Sequence, residues 1–363
     1  MTRYLMAGGG TAGHVNPLLA TADRLRFEDS AAEILVLGTN EGLEARLVPA
    51  RGYRLLTVAR LPFPRRFGVA ALRFPGQFVA LIRSVRHILS EHQIDVVVGF
   101  GGYVAAPAYL AARLMRIPIV VHEANARAGM ANRFGSLLTP FVGVAFSRTA
   151  LRRARVVGMP LRAEIVSLDR ATERADARRE FGLDPHRQTL LVTGGSLGSD
   201  RLNRTLIATI TLVLGAGWQV LHICGTRSEL DYPSLAGYVV VPYSDQMHRA
   251  LASADLVVAR AGASTVSEVT ALALPAIYVP LSVGNGEQRL NAADAVAAGA
   301  ARLVNDADFS ADWIADHLLP LLMSPADIAA LAAAASSLAA RDGAERLVTV
   351  IHEAVSRPVG LPR

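Results

Sequence analysis

The sequence contains no lysine: all 37 basic residues among its 363 are arginine. That absence excludes Schiff-base chemistry and a P-loop, both of which need a lysine amine. Abundant alanine alongside arginine points to GC-rich coding as the origin of the bias. A single cysteine, Cys224, excludes a disulfide framework and a cysteine-based zinc site. It lies in an apolar stretch and reads as a small buried residue. Long uncharged runs are also scarce. Residues 205–226 carry no charge, but Gly215-Ala216-Gly217 interrupts them, so the segment reads as helix, turn and strand rather than a membrane span. Met1 to Met6 run straight into a strand-like segment and a glycine loop, with no signal-peptide pattern. The expectation is a soluble or peripheral protein in the cytoplasm. No nucleic-acid fold signature is present, and no nucleic-acid partner is expected.

What is present suits large cores: 52% of residues are hydrophobic and 19% charged. The net charge of +6 conceals an asymmetry. Residues 1–162 hold 21 Arg against 9 acids, a net +12, and residues 163–363 hold 16 Arg against 22 acids, a net −6. The first half is therefore built to sit near negative charge such as lipid headgroups or phosphates.

Short apolar runs alternate with longer Ala- and Leu-rich segments. Strands are expected at Arg3–Ala7, Glu33–Leu37, Val96–Gly99, Ile117–His122 and Phe141–Phe146. The second half offers Thr189–Thr193, Gln219–Cys224, Tyr238–Pro242, Leu256–Ala259 and Ala276–Pro280. Most are apolar throughout rather than alternating, as strands covered on both faces are. The pattern restarts: Arg3–Ala7 leads into Gly8-Gly9-Gly10, and Thr189–Thr193 leads into Gly194-Gly195-Ser196. Two strand–glycine-loop–helix starts predict an α/β protein of two Rossmann-like, doubly wound parallel-sheet domains. The domains are expected at 1–160 and 161–343, with a final helix, 344–356, joining the first.

Four loops follow strand ends, where ligands bind in open α/β sheets. Gly8-Gly9-Gly10-Thr11-Ala12-Gly13-His14 precedes an expected helix start at Val15-Asn16-Pro17-Leu18. Its spacing matches GxGxxG, yet the second strand ends in Leu37-Gly38-Thr39, and Glu41 comes late for a ribose acid, which argues against a dinucleotide enzyme. His14 instead supplies an imidazole that can act as a base near neutrality. Gly194-Gly195-Ser196-Leu197-Gly198 again lets backbone approach a phosphate, with Ser196 as hydroxyl donor. Arg260-Ala261-Gly262-Ala263-Ser264-Thr265-Val266-Ser267-Glu268 opens a helix with small residues, and Glu268 can accept from ribose hydroxyls. Gly284-Asn285-Gly286-Glu287-Gln288-Arg289-Leu290-Asn291 clusters amides suited to a hydroxyl-rich ligand. Together these features suggest a nucleotide sugar.

GGGTAGHVNPLLATADRL, GFGGYVAAP, VHEANARAGMANR, VVGMPLR, GGSLG, RAGASTVSE and NGEQRLNA occur in this order. The chain thereby resembles the MurG family of peptidoglycan N-acetylglucosaminyltransferases over nearly its whole length. The resemblance implies the GT-B fold, with a cleft between its domains. It also implies transfer of N-acetylglucosamine from UDP to the 4-hydroxyl of N-acetylmuramic acid in lipid I, giving lipid II with anomeric inversion. Neither metal nor other cofactor is expected, and the only DxD string, Asp306-Ala307-Asp308, reads as surface. On the acceptor side the resemblance carries roles to Thr11, His14 as general base, Tyr103, Glu123, Asn125 and Asn132. On the donor side it carries them to Thr11, Arg162, Gly195, Ser196, Ser244, Ala263, Ser264, Thr265, Glu268, Gln288 and Asn291. Leu197 departs from a common Gln, Met159 from a common Asn, Glu287 from a Gln, and Ser244 from an Ile.

The segment Leu61–Leu89 interleaves Arg65, Arg66, Arg73, Arg83 and Arg86 with Phe74, Phe78 and other apolar residues. That pattern suggests a patch lying on an anionic membrane, and a peripheral place on the cytoplasmic face of the cell membrane follows. Other cell-wall synthesis proteins are possible partners. The alternatives are another GT-B enzyme using a UDP-sugar, such as a lipid glycosyltransferase or an epimerase, and a membrane scaffold that keeps the fold without the activity.

Overall fold

The computed structural model describes residues 1–62, 64, 68–282 and 285–357. Arg65, Arg66 and Gly284, named above, lie outside the described residues. The chain divides into two units, Met1–Arg162 with the segment from Arg341 onward, and Ala163–Ala340.

The first unit contains β1 (Arg3–Gly8), α1 (Ala12–Glu28), β2 (Glu33–Gly38), α2 (Glu44–Ala50), β3 (Arg54–Thr57), α3 (Val69–Glu91) and β4 (Val96–Gly101). It continues through α4 (Ala105–Met115), β5 (Ile119–Glu123), α5 (Met130–Leu138), β6 (Phe141–Val144) and β7 (Ala154–Val156). Its parallel sheet has the order β3-β2-β1-β4-β5-β6-β7. Successive residues of a strand point to opposite faces, so continuous apolar strands feed two cores at once. Tyr4, Met6, Val96 and Val98 enter one core with Val15, Leu18 and Leu25 of α1. Leu5, Ala7 and Val97 enter the other with Val85 and Leu89 of α3 and Tyr109 of α4.

The second unit contains α6 (Ala163–Val166), α7 (Arg170–Glu180), β8 (Thr189–Thr193), α8 (Asp200–Gly215), β9 (Gln219–Ile223), β10 (Tyr238–Val241), α9 (Met247–Ser253), β11 (Leu256–Ala259), α10 (Ala263–Ala271) and β12 (Ala276–Tyr278). It ends with α11 (Glu287–Asn291), α12 (Ala293–Ala297), β13 (Ala301–Leu303), α13 (Ala311–Trp313), a π-helical turn (Ile314–Leu318), α14 (Leu319–Leu322) and α15 (Pro325–Leu338). Its parallel sheet has the order β10-β9-β8-β11-β12-β13. Leu190, Val192, Val220 and Val258 pack against Leu202, Leu206 and Ile210 of α8.

The chain then returns to the first unit as α16 (Gly343–Ser356). Leu347, Val348 and Ile351 join the core beside α1. Arg24 pairs with Glu345 at 2.7 Å and Arg155 with Glu353 at 2.9 Å. The uncharged run 205–226 is the end of α8, a turn and β9. Among the described residues no single helix is long and apolar enough to cross a membrane.

Each sheet buries a histidine. His122 on β5 donates from Nε2 to the Gly158 carbonyl at 3.2 Å. His222 on β9 accepts from the Tyr238 hydroxyl at 2.8 Å and donates to Asn203 Oδ1 at 3.0 Å. Burial pushes both imidazoles down to about 4. Between their ordinary value and about 4 the unfolded chain binds protons that the folded chain does not, so stability falls as pH falls through that window. A full shift of this kind is worth on the order of 3 kcal/mol per histidine. Thermal unfolding should shift to lower temperature from pH 6.5 to 4.5, and His222→Gln should flatten the slope. An unchanged slope in that variant would contradict the assignment.

Candidate active site

In both sheets the strand order reverses beside the first strand, and ligands of doubly wound folds bind outside the strand carboxyl ends at such a reversal. In the first unit the reversal lies between β1 and β4, and the loops leaving them are Gly8–His14 and Gly101–Val104. In the second it lies between β8 and β11, beside Gly194–Ser199 and Arg260–Gly262.

Helix α1 starts at Ala12 with Thr11 as N-cap, three residues earlier than the Val15 start expected from sequence. His14 therefore stands in the first helical turn. Its Nδ1 lies 3.0 Å from the Gly9 carbonyl and 3.4 Å from Thr11 Oγ1. A carbonyl only accepts, so Nδ1 carries the proton and Nε2 keeps a free lone pair. Gly101 (φ 102°) makes room for the ring, because a Cβ there would stand 3.0 Å from Nε2.

The first glycine loop is not a free phosphate cradle. The Gly10 N–H donates to Glu44 Oε2 at 2.7 Å, while Thr39 donates to Oε1 from its N–H at 3.0 Å and its hydroxyl at 2.8 Å. Burial opposes the charged form of this 1%-exposed carboxylate, but those hydrogen bonds outweigh it and hold the group below its ordinary value. An internal anion thus takes one of the loop N–H groups a dinucleotide phosphate would use, which argues further against the GxGxxG reading. Glu44 was not singled out by the sequence. The signal was there in an acid at a helix start two residues after Gly42. Tyr103 is 43% exposed, with the Arg60 guanidinium 5.3 Å from its ring centre. Both line a cavity of about 80 Å³ with Gly9, Gly10, Glu41 and Glu44.

Glu123 and Asn132 are buried and engaged with their own loop. Glu123 accepts from the Asn125 and Gly129 N–H groups at 2.9 and 3.0 Å, and from Asn132 Nδ2 at 3.0 Å. Asn132 also donates to the His122 carbonyl at 3.0 Å and accepts from the Tyr109 hydroxyl at 2.7 Å. These two side chains shape the Ala124–Gly129 loop, and Asn125 is the half-buried member left at its surface.

In the second unit, Gly195, Ser196 and Leu197 form an exposed turn closed by Gly198 N–H to the Gly195 carbonyl at 3.0 Å. Helix α8 begins at Asp200, capped by Ser199, whose Oγ also accepts from Arg260 at 2.7 Å. Helix α10 differs. Its N-cap is Gly262, no side chain caps it, and its first turn is Ala263, Ser264 and Thr265. Open N–H groups at such a start attract an anion. Among the described residues the buried Ser264 hydroxyl has no hydrogen-bond partner. Glu268 is 7% exposed, one turn further on the same helix. Gln288 Oε1 accepts from the Leu281 N–H at 2.9 Å, and Asn291 donates to the Ala261 carbonyl at 3.2 Å. Ser244 lies half-buried in the loop after β10, and Arg162, also half-buried, ends the first stretch of the first unit, Met1–Arg162.

Asp306 corrects the surface reading of the DxD string. It pairs with Arg260 at 2.6 Å and is 15% exposed, whereas Asp308 is exposed. Arg260 also donates to the Val279 carbonyl at 3.0 Å, so it ties together the ends of three strands, a role sequence reasoning missed. On α3, Leu72, Arg73, Val79, Arg83 and Arg86 are exposed. Phe78 packs partly against the core, with Phe74 stacked on it at 5.6 Å. Helical periodicity turns Phe78 partly inward and leaves Phe74 half-buried against it, so the fully exposed part of the patch is more basic than aromatic.

Asn132→Leu should lower the stability of the first unit by about 2–3 kcal/mol, because it leaves the buried Tyr109 hydroxyl without its acceptor and takes one donor each from Glu123 and the His122 carbonyl. Urea denaturation would measure it, and a cost under about 0.5 kcal/mol would show the amide to be expendable.

The glycosyltransferase family 28 N-terminal domain matches residues 4–139, and the family 28 C-terminal domain matches residues 189–347. A UDP-N-acetylglucosamine–N-acetylmuramyl-(pentapeptide) pyrophosphoryl-undecaprenol N-acetylglucosamine transferase of Leifsonia xyli is 58% identical over 98% of this chain and 99% of its own. The crystal structure of Acinetobacter baumannii MurG superposes with a TM-score of 0.78 at 29% identity, covering 97% of this chain and all of that one. A UDP-GlcNAc 2-epimerase from Neisseria meningitidis has a TM-score of 0.70 at 13% identity, covering 97% of this chain and all of its own, a likeness of fold alone. With a GT-B architecture of two Rossmann-like units and both domain models matched in order, the chain belongs to glycosyltransferase family 28 and is an N-acetylglucosaminyltransferase of the MurG family.

Proposed function

We propose that this chain transfers N-acetylglucosamine from UDP-N-acetylglucosamine to the 4-hydroxyl of N-acetylmuramic acid in lipid I, producing lipid II with inversion at the anomeric carbon. The observation that carries the reading is the 58% identity, across 98% of the chain, to a transferase named for that donor and acceptor. The acceptor oxygen attacks the anomeric carbon, the bond to the diphosphate breaks, and UDP leaves with the electron pair. His14 takes the hydroxyl proton on Nε2, the nitrogen left free by the Nδ1 contact to Gly9.

The first unit is the acceptor domain, with Thr11, Tyr103 and Asn125 beside His14, and with Glu123 and Asn132 holding their loop in shape. The second unit is the donor domain. The open start of α10 at Ala263, Ser264 and Thr265 meets the diphosphate, joined by Ser196 and Gly195 of the glycine turn and by Arg162. Glu268 reads the ribose, the Ser244 backbone meets the base, and Gln288 and Asn291 read the sugar. The exposed face of α3, with Arg73, Arg83 and Arg86 around Leu72 and Val79, rests on anionic lipid. This gives a peripheral enzyme on the cytoplasmic face of the membrane, where other cell-wall synthesis proteins can meet it.

A transfer assay with labelled UDP-N-acetylglucosamine and a lipid I analogue tests the reaction, and activity with UDP-glucose alone would overturn the donor assignment. His14→Ala should lower kcat about 100-fold or more while changing UDP-N-acetylglucosamine affinity less than about 3-fold. Unchanged turnover would remove His14 as base. Sedimentation with vesicles should increase with anionic lipid and fall with salt, and Arg73→Glu combined with Arg83→Glu should abolish the dependence. Binding insensitive to salt and lipid charge would remove the membrane face.

A further inference from the structure

The Gly9–Gly10 peptide joins two side chains that lie on opposite sides of it. Its N–H donates to Glu44 Oε2 at 2.7 Å, and its carbonyl accepts from His14 Nδ1 at 3.0 Å. The two ends of a planar trans peptide point in opposite directions, so one rigid plane links carboxylate to imidazole. We propose that Glu44 is a positioning residue for His14: through this peptide its negative charge keeps the imidazole proton on Nδ1 and favours the imidazolium formed when Nε2 takes the acceptor proton. The inference rests on the reading of His14 as the base.

The physical argument has three steps. Hydrogen bonds in a chain polarise one another, and an amide whose N–H faces a carboxylate has a more negative carbonyl oxygen. That oxygen is the acceptor for Nδ1–H, so the chain favours one tautomer and strengthens as the ring gains charge. A carboxylate bonded directly to an imidazole performs the same task in other enzymes, and here a peptide is interposed.

The local structure is built to keep the charge in place. Among the described residues the partners of Glu44 are the N–H and O–H donors of Gly10 and Thr39, not a cation, so no ion pair cancels it. A Cβ at Gly9 or Gly42 would collide with the carboxylate, so glycine is required at both positions for the group to reach the loop. Other charged and titratable groups face the same region. Arg60, Glu41 and Tyr103 line the cavity beside Glu44, and Glu123 lies behind the Asn132 amide, which approaches Gly101 opposite the ring. All remain in place when Glu44 alone is changed, so a comparison isolates its charge.

Gln is isosteric with Glu44 and removes its charge, and its single oxygen can accept from the Gly10 N–H or from the Thr39 N–H but not from both, so thermal unfolding of the variant is measured alongside to separate the loss of one hydrogen bond from the loss of charge. The test therefore uses Glu44→Gln in the full chain, with histidine-labelled protein and His14→Gln to assign the His14 signal. Wild-type nitrogen shifts should report the proton on Nδ1. In Glu44→Gln the His14 titration midpoint and the acid limb of the kcat profile should both move down by about 0.5–1 pH unit. The sign follows because removing the anion disfavours the imidazolium. kcat should fall about 3- to 10-fold, with the KM for UDP-N-acetylglucosamine within about 2-fold.

An unmoved midpoint in folded Glu44→Gln would overturn the inference. So would a wild-type ring with its proton on Nε2, a measurement that needs no variant to fold. The base reading fails separately, if His14→Gln transfers sugar at the wild-type rate. In that case the tautomer and titration midpoint still decide whether Glu44 acts on His14.

Discussion

Burial of both faces of each parallel sheet is the constraint on which the rest depends. With helices on either side, a strand such as β1 gives Tyr4 and Met6 to one core and Leu5 and Ala7 to the other, and has no face left for a ligand. Chemistry is pushed to the carboxyl ends, where the chain must leave the sheet. The strand order then selects among those ends. Only at the reversals beside β1 and β8 do neighbouring connections diverge to opposite faces and leave a crevice.

At the two reversals the same local device has opposite uses. Helix α10 begins with small residues and no side-chain cap, so its first N–H groups are available to a diphosphate. The loop before α1 has the glycines of a phosphate site, yet Glu44 occupies the Gly10 N–H from inside. One helix start is left without a side-chain cap. The other holds an internal anion, and its exposed product is an oriented imidazole. Helix α8 is intermediate, capped by Ser199 and tied to Arg260, so its own terminus is partly occupied and the exposed turn before it is the more open of the two.

The division of charge fits these assignments. The arginine-rich first unit carries the exposed residues of α3, on the face turned away from the core. In the proposed assignment the acidic second unit needs little side-chain charge, because a helix start and a few placed groups can hold a diphosphate. Lysine plays no part in either, since there is none.

The strands that run through the centres of both sheets were legible in the sequence, as were the two glycine-loop restarts, because burial on both faces demands uninterrupted apolar residues. Strands β3, β7 and β13 were not legible. They are short strands at sheet edges, partly exposed, and their composition does not set them apart from loops. His14, Ser264 and Glu268 were readable as chemistry at strand ends. The sequence by itself determined the fold class, the family and the residue types available for transfer, since periodicity and motif are local in the chain. Only the tertiary structure decided that Glu44, 34 residues from Gly10, reaches that loop, that Asp306 pairs with Arg260 instead of facing water, and that Phe78 turns inward. Each of these is a contact between elements distant in sequence, and what a carboxylate or a ring does is set by the neighbours that folding brings to it.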